Sequence, residues 1–572
     1  MSSAILTVAL NASLIVCALG VAWRAWRWLQ TAIGPDARGA APLSRLAAIA
    51  RTTGSAVVGR RASRVLGAFA LDALFLRKLF RRDRPRAIAH HVLLAGFMWL
   101  LLVHALAPVL ASRLLPGYQP TLDPWLFLRD LFGVAALAGV LFLGFARRAP
   151  SAAGSWRRSA SETTFVALLG LMLVSGFLLE AQKIASPAAF ERMADLYAVG
   201  ADPDQRAMLR AWWGREFGIP FEHTDTRLDA TSAARGRALH DEACASCHAK
   251  PASAFVSWPL SRGFAPIARA LDAADAGAWL AYLHALACIA ALASLPFTRF
   301  FHAVASPFAL LLDAIARNRS SPEHTPSAAF LATRRAVALD ACVHCRICDT
   351  TCSVAPMSRW LRNDAALPSR KLEILGEVAR GGLPAFENLD EQGRRYALRV
   401  AEGAFLCTDC GRCTQSCPVG LDLADLWQAS RRDLTAAGIG APDQWIQART
   451  PLAWATAMRA QVPHAQPAPP RLATDRAMLA RCIQCQVCTN VCPVVAHGTG
   501  GHVDFTPQRV VNLLRLGRED LALGSRMVRA CAGCYQCQEH CPERIPVADI
   551  LLELRAAAPR VLGEVREHEA PS

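Results

Sequence analysis

At 572 residues the chain is too long for one hydrophobic core, and 53% hydrophobic residues with a mean hydropathy of +0.23 exclude an ordinary soluble domain. A net charge of +16 raises nucleic acid as a partner, yet 14 Arg/Lys fall within 23–88 against only Asp36, Asp72 and Asp83; a basic loop beside apolar segments is what membrane orientation produces, so no nucleic-acid partner is expected. Of 20 cysteines, 16 lie in four tight runs after residue 341, which excludes a disulfide-stapled secreted fold and points to metal in a reducing compartment.

Five stretches are long and apolar enough to cross ~30 Å of hydrocarbon: 4–22, 88–110, 126–146, 164–183 and 278–304. No Lys or Arg precedes the first, while Arg24 and Arg27 follow it, so it reads as a retained span with an outer N-terminus. Alternation then places the basic 23–88 loop inside, the 111–124 loop with Arg113 outside, and the 147–162 loop with Arg147, Arg148, Arg157 and Arg158 inside. Residues 184–277 fall outside and everything beyond the fifth span falls in the cytoplasm. Trp23, Trp26, Trp28, Trp125 and Trp279 sit at expected helix ends, and Ser159 with Glu162 forms a capping box before the fourth span.

Ligating residues inside apolar helices are functional candidates because lipid offers them no partner. On the second span His90 and His104 lie about 40° apart on a helical wheel, whereas neighbouring His91 is turned away. Arg129 and Asp130, on the third span, read as a mutual ion pair or a quinone-pocket lining, with the pair preferred. His284 and His302, on the expected fifth span, share one face along ~27 Å of helix axis against ~21 Å for His90 and His104, so tilt or a kink at Pro296 must absorb the difference. Because the second and fifth spans are antiparallel, His90 pairs with His302 near the cytoplasm and His104 with His284 near the outside. The expectation is two bis-histidine b-type haems.

Within the outer insertion, Cys244-Ala-Ser-Cys247-His248 has the spacing for two thioether bonds and a proximal haem ligand, on the side of the membrane where haem c is attached. The alternative is a redox dithiol or disulfide. No methionine follows His248 before Met357, so a sixth ligand must be His223, His240, Met193 or Met208, or the position stays open. Cys17 and Cys288 read as packing residues.

The spacing C-x2-C-x2-C-x3-C occurs at Cys342, Cys345, Cys348, Cys352; at Cys407, Cys410, Cys413, Cys417; at Cys482, Cys485, Cys488, Cys492; and at Cys531, Cys534, Cys537, Cys541. Three close thiolates wrap one face of a [4Fe–4S] cube and the fourth ligates the neighbouring cube, so the runs belong in pairs. Zinc, the alternative, favours two separated C-x2-C hooks. Pro418, Pro493 and Pro542 follow the fourth cysteine in three runs, while the first reads Cys352-Ser-Val-Ala-Pro356. The Pro-rich stretch Val462–Pro470 separates the two pairs as a stiff linker, and Arg317–Pro326 separates the first pair from the membrane.

These cysteine segments, over about 340–430 and 480–555, resemble the ferredoxin-type iron–sulfur subunits of heterodisulfide reductases, which pass electrons to or from a separate catalytic partner. No Cys-Cys-Gly catalytic signature occurs. Residues 1–310, apart from the insertion, resemble in topology the membrane cytochrome b subunit of respiratory nitrate reductase, with His90-x5-Gly96-Phe97 in keeping; the resemblance implies five helices, haems on the second and fifth, and quinol chemistry at one face.

The expected fold is mainly α: a five-helix transmembrane bundle with a periplasmic c-haem insertion, followed by two α-helical ferredoxin-type modules. The boundaries are 1–183 for four spans, 184–277 for the insertion, 278–316 for the fifth span and its extension, 317–460 for the first module, 461–475 for the linker and 476–572 for the second. The expected cofactors are four [4Fe–4S] clusters, two haem b, one haem c and quinone/quinol. The expected partners are the membrane, the quinone pool, a cytoplasmic catalytic subunit of flavoprotein or disulfide-reductase type, and a periplasmic cytochrome, at a bacterial plasma membrane. The competing readings are a redox-sensing or assembly scaffold, and reverse flow from a cytoplasmic flavoprotein to quinone.

Overall fold

The structure, a computed structural model, describes residues 3–35, 39–58, 62–115, 117–146, 160–198, 200, 202–222, 230–317, 326–381, 386–440, 444–460, 470–497 and 503–569. Among these the chain is mainly helical and forms no strand. It divides into two compact units: Met1–Arg24 with Leu79–Phe301, and Ala25–Lys78 with His302–Ser572. The basic 147–158 segment, the Ser159 cap, His223, and most of the two polar linkers lie outside the described residues.

Among the described residues six helices are long and apolar enough to cross a membrane, against five expected: Ala4–Gln30, Arg84–His104, Trp125–Phe145, Thr163–Ala185, Ala276–Phe297 and Arg299–Arg317. The extra one arises because the stretch 278–304 is not one helix. A helix over Ala276–Ser294 gives way to a 3-10 turn at Leu295–Phe297, extended Thr298 and a second 3-10 turn at Arg299–Phe301, before a new helix starts at His302. Pro296 has no N–H to continue the ladder, and its carbonyl instead accepts from Arg24 Nε at 2.9 Å. His284 and His302 therefore sit on different helices, and the shared-face reasoning for them does not hold.

The first unit packs through small residues, as helices must where lipid supplies no hydrophobic drive. A Cβ on Gly96 would lie 2.6 Å from the Phe132 carbonyl, one on Gly139 3.0 Å from the Ala89 carbonyl, and one on Gly20 2.5 Å from Pro296. The second span starts on an Asp83 cap with Pro85 in its first turn, then widens into π turns at Leu101–Ala105 and Ala107–Ala111. Pro108 cannot donate to the His104 carbonyl, so the ladder re-forms with wider steps such as Leu106 N to Leu101 O at 2.9 Å. The phase between His90 and His104 is accordingly not that of a regular α-helix.

The insertion closes on an aromatic core of Phe190, Trp212, Trp213, Phe217 and Ile219, which also encloses Cys244. Its helices Pro203–Glu216 and Ala230–Ala243 cross at Gly236, where a side chain would meet the Met208 carbonyl at 2.6 Å. Asp272 fastens the insertion to the end of the fourth span, accepting from Gln182, Ser186 and the Ala188 N–H.

In the second unit the helices His302–Arg317 and Ala328–Ala341 pack together, and both cysteine-rich modules follow. One apolar core is built from Val510, Leu514, Leu523, Ile550, Leu551 and Leu554. A smaller one joins Val354, Met357 and Leu406 of the first module to Leu552 of the second.

Candidate electron-transfer centres

All four cysteine runs share one backbone device. The residue before the second cysteine and the residue after it are both left-handed: His344 and Arg346, Asp409 and Gly411, Gln484 and Gln486, Gly533 and Tyr535. A left-handed kink turns successive N–H groups into a concavity suited to anionic iron–sulfur clusters. The third cysteine then sits on a short helix, within Ile347–Thr350, Arg412–Ser416, Val487–Asn490 or Gln536–Glu539. For non-glycine residues this conformation costs about 1–2 kcal/mol each, strain that a bound cluster can offset.

The cysteines meet in the exchanged pattern expected of paired runs. Cys482, Cys485 and Cys488 line one cavity with Cys541 of the following run. Cys531, Cys534 and Cys537 share theirs with Cys492. Cys407, Cys410 and Cys413 share theirs with Cys352, and Cys348 feels the charges of Cys342, Cys345 and Cys417. Thiols exchanged between two runs in this way match the ligation of paired [4Fe–4S] cubes, whereas zinc favours two separated C-x2-C hooks. Burial, and after it the charge of neighbouring thiols, pushes Cys488 up to about 11; burial, then the Asp349 carboxylate and neighbouring thiols, pushes Cys348 higher still. Filling these sites therefore expels protons.

Hydrogen bonds to sulfur come from the His344 N–H to Cys342 and from the Ile545 N–H to Cys541, both at 3.4 Å. Lys371, buried over the Trp427 ring at 5.7 Å, lines the cavity of Cys352, Cys407, Cys410 and Cys413. Such groups tune a cluster's potential. The two modules touch at their inner cavities. Thr408 donates to the Ala532 carbonyl at 3.2 Å, Arg412 to the Cys534 carbonyl at 2.7 Å, and a Cβ on Gly533 would lie 2.8 Å from the Ser353 carbonyl.

In the first unit the structure brings His104 and His284 together, with ring centres 5.9 Å apart and planes at 85°. Two imidazoles gripping one metal from opposite sides, with bonds of about 2 Å, have centres roughly 6 Å apart, so the pair fits a bis-histidine haem. His284 Nδ1 lies 3.1 Å from Ser175 Oγ, whose hydrogen goes to the Met172 carbonyl at 3.1 Å. The other ring nitrogen, Nε2, lies 3.8 Å from Cys288 Sγ. Gly176 gives the His284 ring its room, at 3.4 Å from where a Cβ would stand. Ser175-Gly176, a polar and a small residue in an otherwise apolar run, is the sequence signal that could have revealed this support.

His90 belongs to the first unit and His302 to the second, while His91 bonds the Ala87 carbonyl at 2.8 Å through Nδ1. Arg129 and Asp130 do not pair with each other. Arg129 pairs with Glu180, and Asp130 accepts from the Val256 and Ser257 N–H groups at 2.7 and 3.0 Å. Neighbouring residues on a helix point about 100° apart, which is why adjacency in sequence did not make them partners.

Cys244, Cys247 and His248 come from one turn, with the His248 N–H donating to the Cys244 carbonyl at 2.9 Å. The His248 ring meets Trp213 edge-on at 5.7 Å. His240 stacks on Trp212 at 4.3 Å, is 6% exposed, and its buried Nδ1 has no hydrogen-bond partner among the described residues. Burial holds both imidazoles below the usual histidine range. Met193 packs against the same aromatic core, and the Met208 carbonyl meets Gly236.

No solved structure matches the chain. An iron–sulfur relative from the ferredoxin:CoB-CoM heterodisulfide reductase of Methanosarcina mazei is 38% identical over 79 residues, 14% of this chain and 45% of that protein. Its counterpart in the ferredoxin/F(420)H(2)-dependent CoB-CoM heterodisulfide reductase of Methanosarcina acetivorans is 37% identical over 90 residues, 16% of this chain and 52% of that protein. Lactate utilization protein B of Macrococcus caseolyticus is 38% identical over 104 residues, 18% of this chain and 20% of that protein. The chain spans about half the length of the heterodisulfide reductase subunits it matches. Residues 338–421 and 478–545 each match the 4Fe-4S dicluster domain, so the chain carries two iron–sulfur dicluster modules of the kind used for electron transfer.

Proposed function

We propose that this chain is the membrane-bound electron-transfer subunit of a quinone-linked respiratory oxidoreductase, passing electrons between quinol or a periplasmic carrier and a cytoplasmic catalytic partner. The observation that carries the reading is the meeting of His104 and His284 on two apolar spans, in a chain that also holds four cysteine cradles. His104 and His284 are the ligands proposed for an outer haem b. For an inner one the ligands proposed are His90 and His302, on their place in apolar stretches of the sequence alone. Cys244, Cys247 and His248 are the attachment and ligand residues proposed for haem c.

Bound haems and clusters supply reversible one-electron storage. Oxidation of a quinol, QH2 → Q + 2e− + 2H+, would feed them one electron at a time. The chain's own part is to fix the ligands: Ser175 orients His284, Gly176 makes room for its ring, and the left-handed turns aim three thiols of each run inward. Likeness to a subunit of multi-subunit reductases supports a separate catalytic partner, of flavoprotein or disulfide-reductase type. The excess of Arg and Lys in 23–88 supports a cytoplasmic face there, hence a periplasmic N-terminus and insertion in a bacterial plasma membrane.

Anaerobically purified protein mixed with a quinol analogue in a stopped-flow spectrometer should show haem b reduced first and clusters after it, on a turnover timescale. A pyridine haemochrome assay should count two b haems and one c haem. Quinol that reduces neither haem nor cluster ends this reading.

A further inference from the structure

The second unit arranges its four cradles in one order, and only one end of that order is open. At the near end, the Ser306 hydroxyl, one helical turn beyond His302, donates to the Ala341 carbonyl at 3.0 Å, immediately before Cys342. The loop around this first cradle is covered: Val343, His344, Cys345, Arg346 and Ile347 are half-buried and Cys348 is buried. The next two cradles face each other across the module contact at Thr408, Arg412 and Gly533. That leaves the cradle of Cys482, Cys485, Cys488 and Cys541 at the far end.

Its loop is laid open. Arg481, Gln484, Cys485 and Gln486 are exposed, and Ile483 is 63% exposed. Beside it Arg515 donates to the Cys482 carbonyl at 3.2 Å, and the next residue, Leu516, is 64% exposed. The segments lining this cavity add exposed Arg544 against a single carboxylate, Glu543. The other exposed cluster cysteine, Cys410, has a different setting: its neighbour Asp409 is neutralised by Arg431, and its loop is tied to the second module.

We infer that the face around Ile483, Leu516, Arg481 and Arg515 is the port through which the far cluster exchanges electrons with a soluble redox protein bearing an acidic rim around its own centre. This rests on the electron-transfer reading above and adds which cluster meets the partner and what chemistry the partner presents. Two exposed aliphatic side chains give a small dry centre and the arginines a positive surround, the anatomy of a transient contact that turns over quickly. Complementary charge raises the encounter rate at low salt.

The test uses the full-length, cluster-loaded chain in detergent, reduced and mixed with an acidic plant-type ferredoxin, a basic mono-haem cytochrome c, or neutral benzoquinone. Arg481→Glu and Leu516→Glu, both outside the cluster cavity, should each slow reoxidation by the acidic carrier about tenfold at low salt. The loss should fade at high salt, with benzoquinone rates and cluster EPR spectra unchanged. Reoxidation by the acidic carrier at the original rate, with EPR spectra intact, overturns the port. So does faster transfer to the basic carrier than to the acidic one in the unchanged chain, or a dimer in mass photometry that either variant dissolves while carrier rates stay constant. Absence of [4Fe–4S] signals from the unchanged chain would instead sink the electron-transfer reading itself.

Discussion

Single side chains set the chemistry of the inner cradles. Lys371 is 7% exposed and lines the cavity of Cys352, Cys407, Cys410 and Cys413. A buried ammonium beside a cube favours its more negative, reduced form, so Lys371→Met should lower that cluster's midpoint potential by some tens of millivolts, 59 mV being about a tenfold change for one electron. Potentiometric EPR titration checks this, and an unmoved midpoint would show that the lysine acts only on packing. Asp425 illustrates the stability side. It accepts from Arg334 at 2.6 Å and from Arg335 at 2.8 Å, and those guanidinium groups are 8% and 3% exposed. Burial pushes its carboxyl up, but hydrogen bonds and charge from the two arginines win and hold it below the usual range. A depressed folded pKa contributes stability that is complete above the unfolded value of about 3.9 and is lost as pH falls through the folded value. Asp425→Asn should cost about 1–3 kcal/mol at neutral pH by removing the carboxylate charge beside two buried guanidinium groups, of which Arg334 keeps Asp313 and Asp422 as neighbours. Thermal melts should show the variant weaker at pH 7 and the difference shrinking as the pH falls below 4.

At the scale of elements, legibility follows the range of the cause. The cysteine runs and their pairing were plain because cluster ligation is written in fixed local spacing. Of the eight left-handed positions only Gly411 and Gly533 carry the glycine that advertises them; the remainder are held by tertiary context. Pro296 was legible as a kink, but whether a proline bends a helix or ends it depends on what satisfies the backbone around the break, and here Arg24, far away in sequence, donates to the Pro296 carbonyl. The π turns around His104 and the partners of Arg129 and Asp130 were hidden for the same reason. The close approach of the second and third spans at Gly96 supplies the corresponding prediction. Gly96→Val would drive its side chain into the Phe132 carbonyl, 2.6 Å from the Cβ position, and force the two spans apart. The span carrying His104 would then shift relative to its neighbours, so the haem b proposed for His104 and His284 should, measured by haemochrome, fall by half or more. The four cluster EPR signals, which arise in a separate compact unit, should persist.

The molecule as a whole is organised by adjacency of redox sites, because electron transfer falls steeply with separation and therefore selects neighbours in space. The contact between modules places the Cys352/Cys407/Cys410/Cys413 cradle beside the Cys492/Cys531/Cys534/Cys537 cradle, although the Pro-rich stretch between them in sequence reads as a spacer. Thr408 and Arg412 each donate across that contact to a carbonyl of the fourth run, so the double variant Thr408→Val, Arg412→Leu removes both bonds while leaving every cysteine in place. Losing two such hydrogen bonds costs about 2–4 kcal/mol, one of them charge-assisted, enough to loosen a contact closed by a small apolar core. With dithionite, which reaches each cluster from solution, all four EPR signals should develop as in the unchanged chain. With quinol, which on the proposed function delivers its electrons at the apolar spans, the first two should develop and the last two should lag by tenfold or more. Equal quinol reduction of all four would show that the modules exchange electrons by another route, and that the order of cradles seen in the fold is not the order in which charge moves.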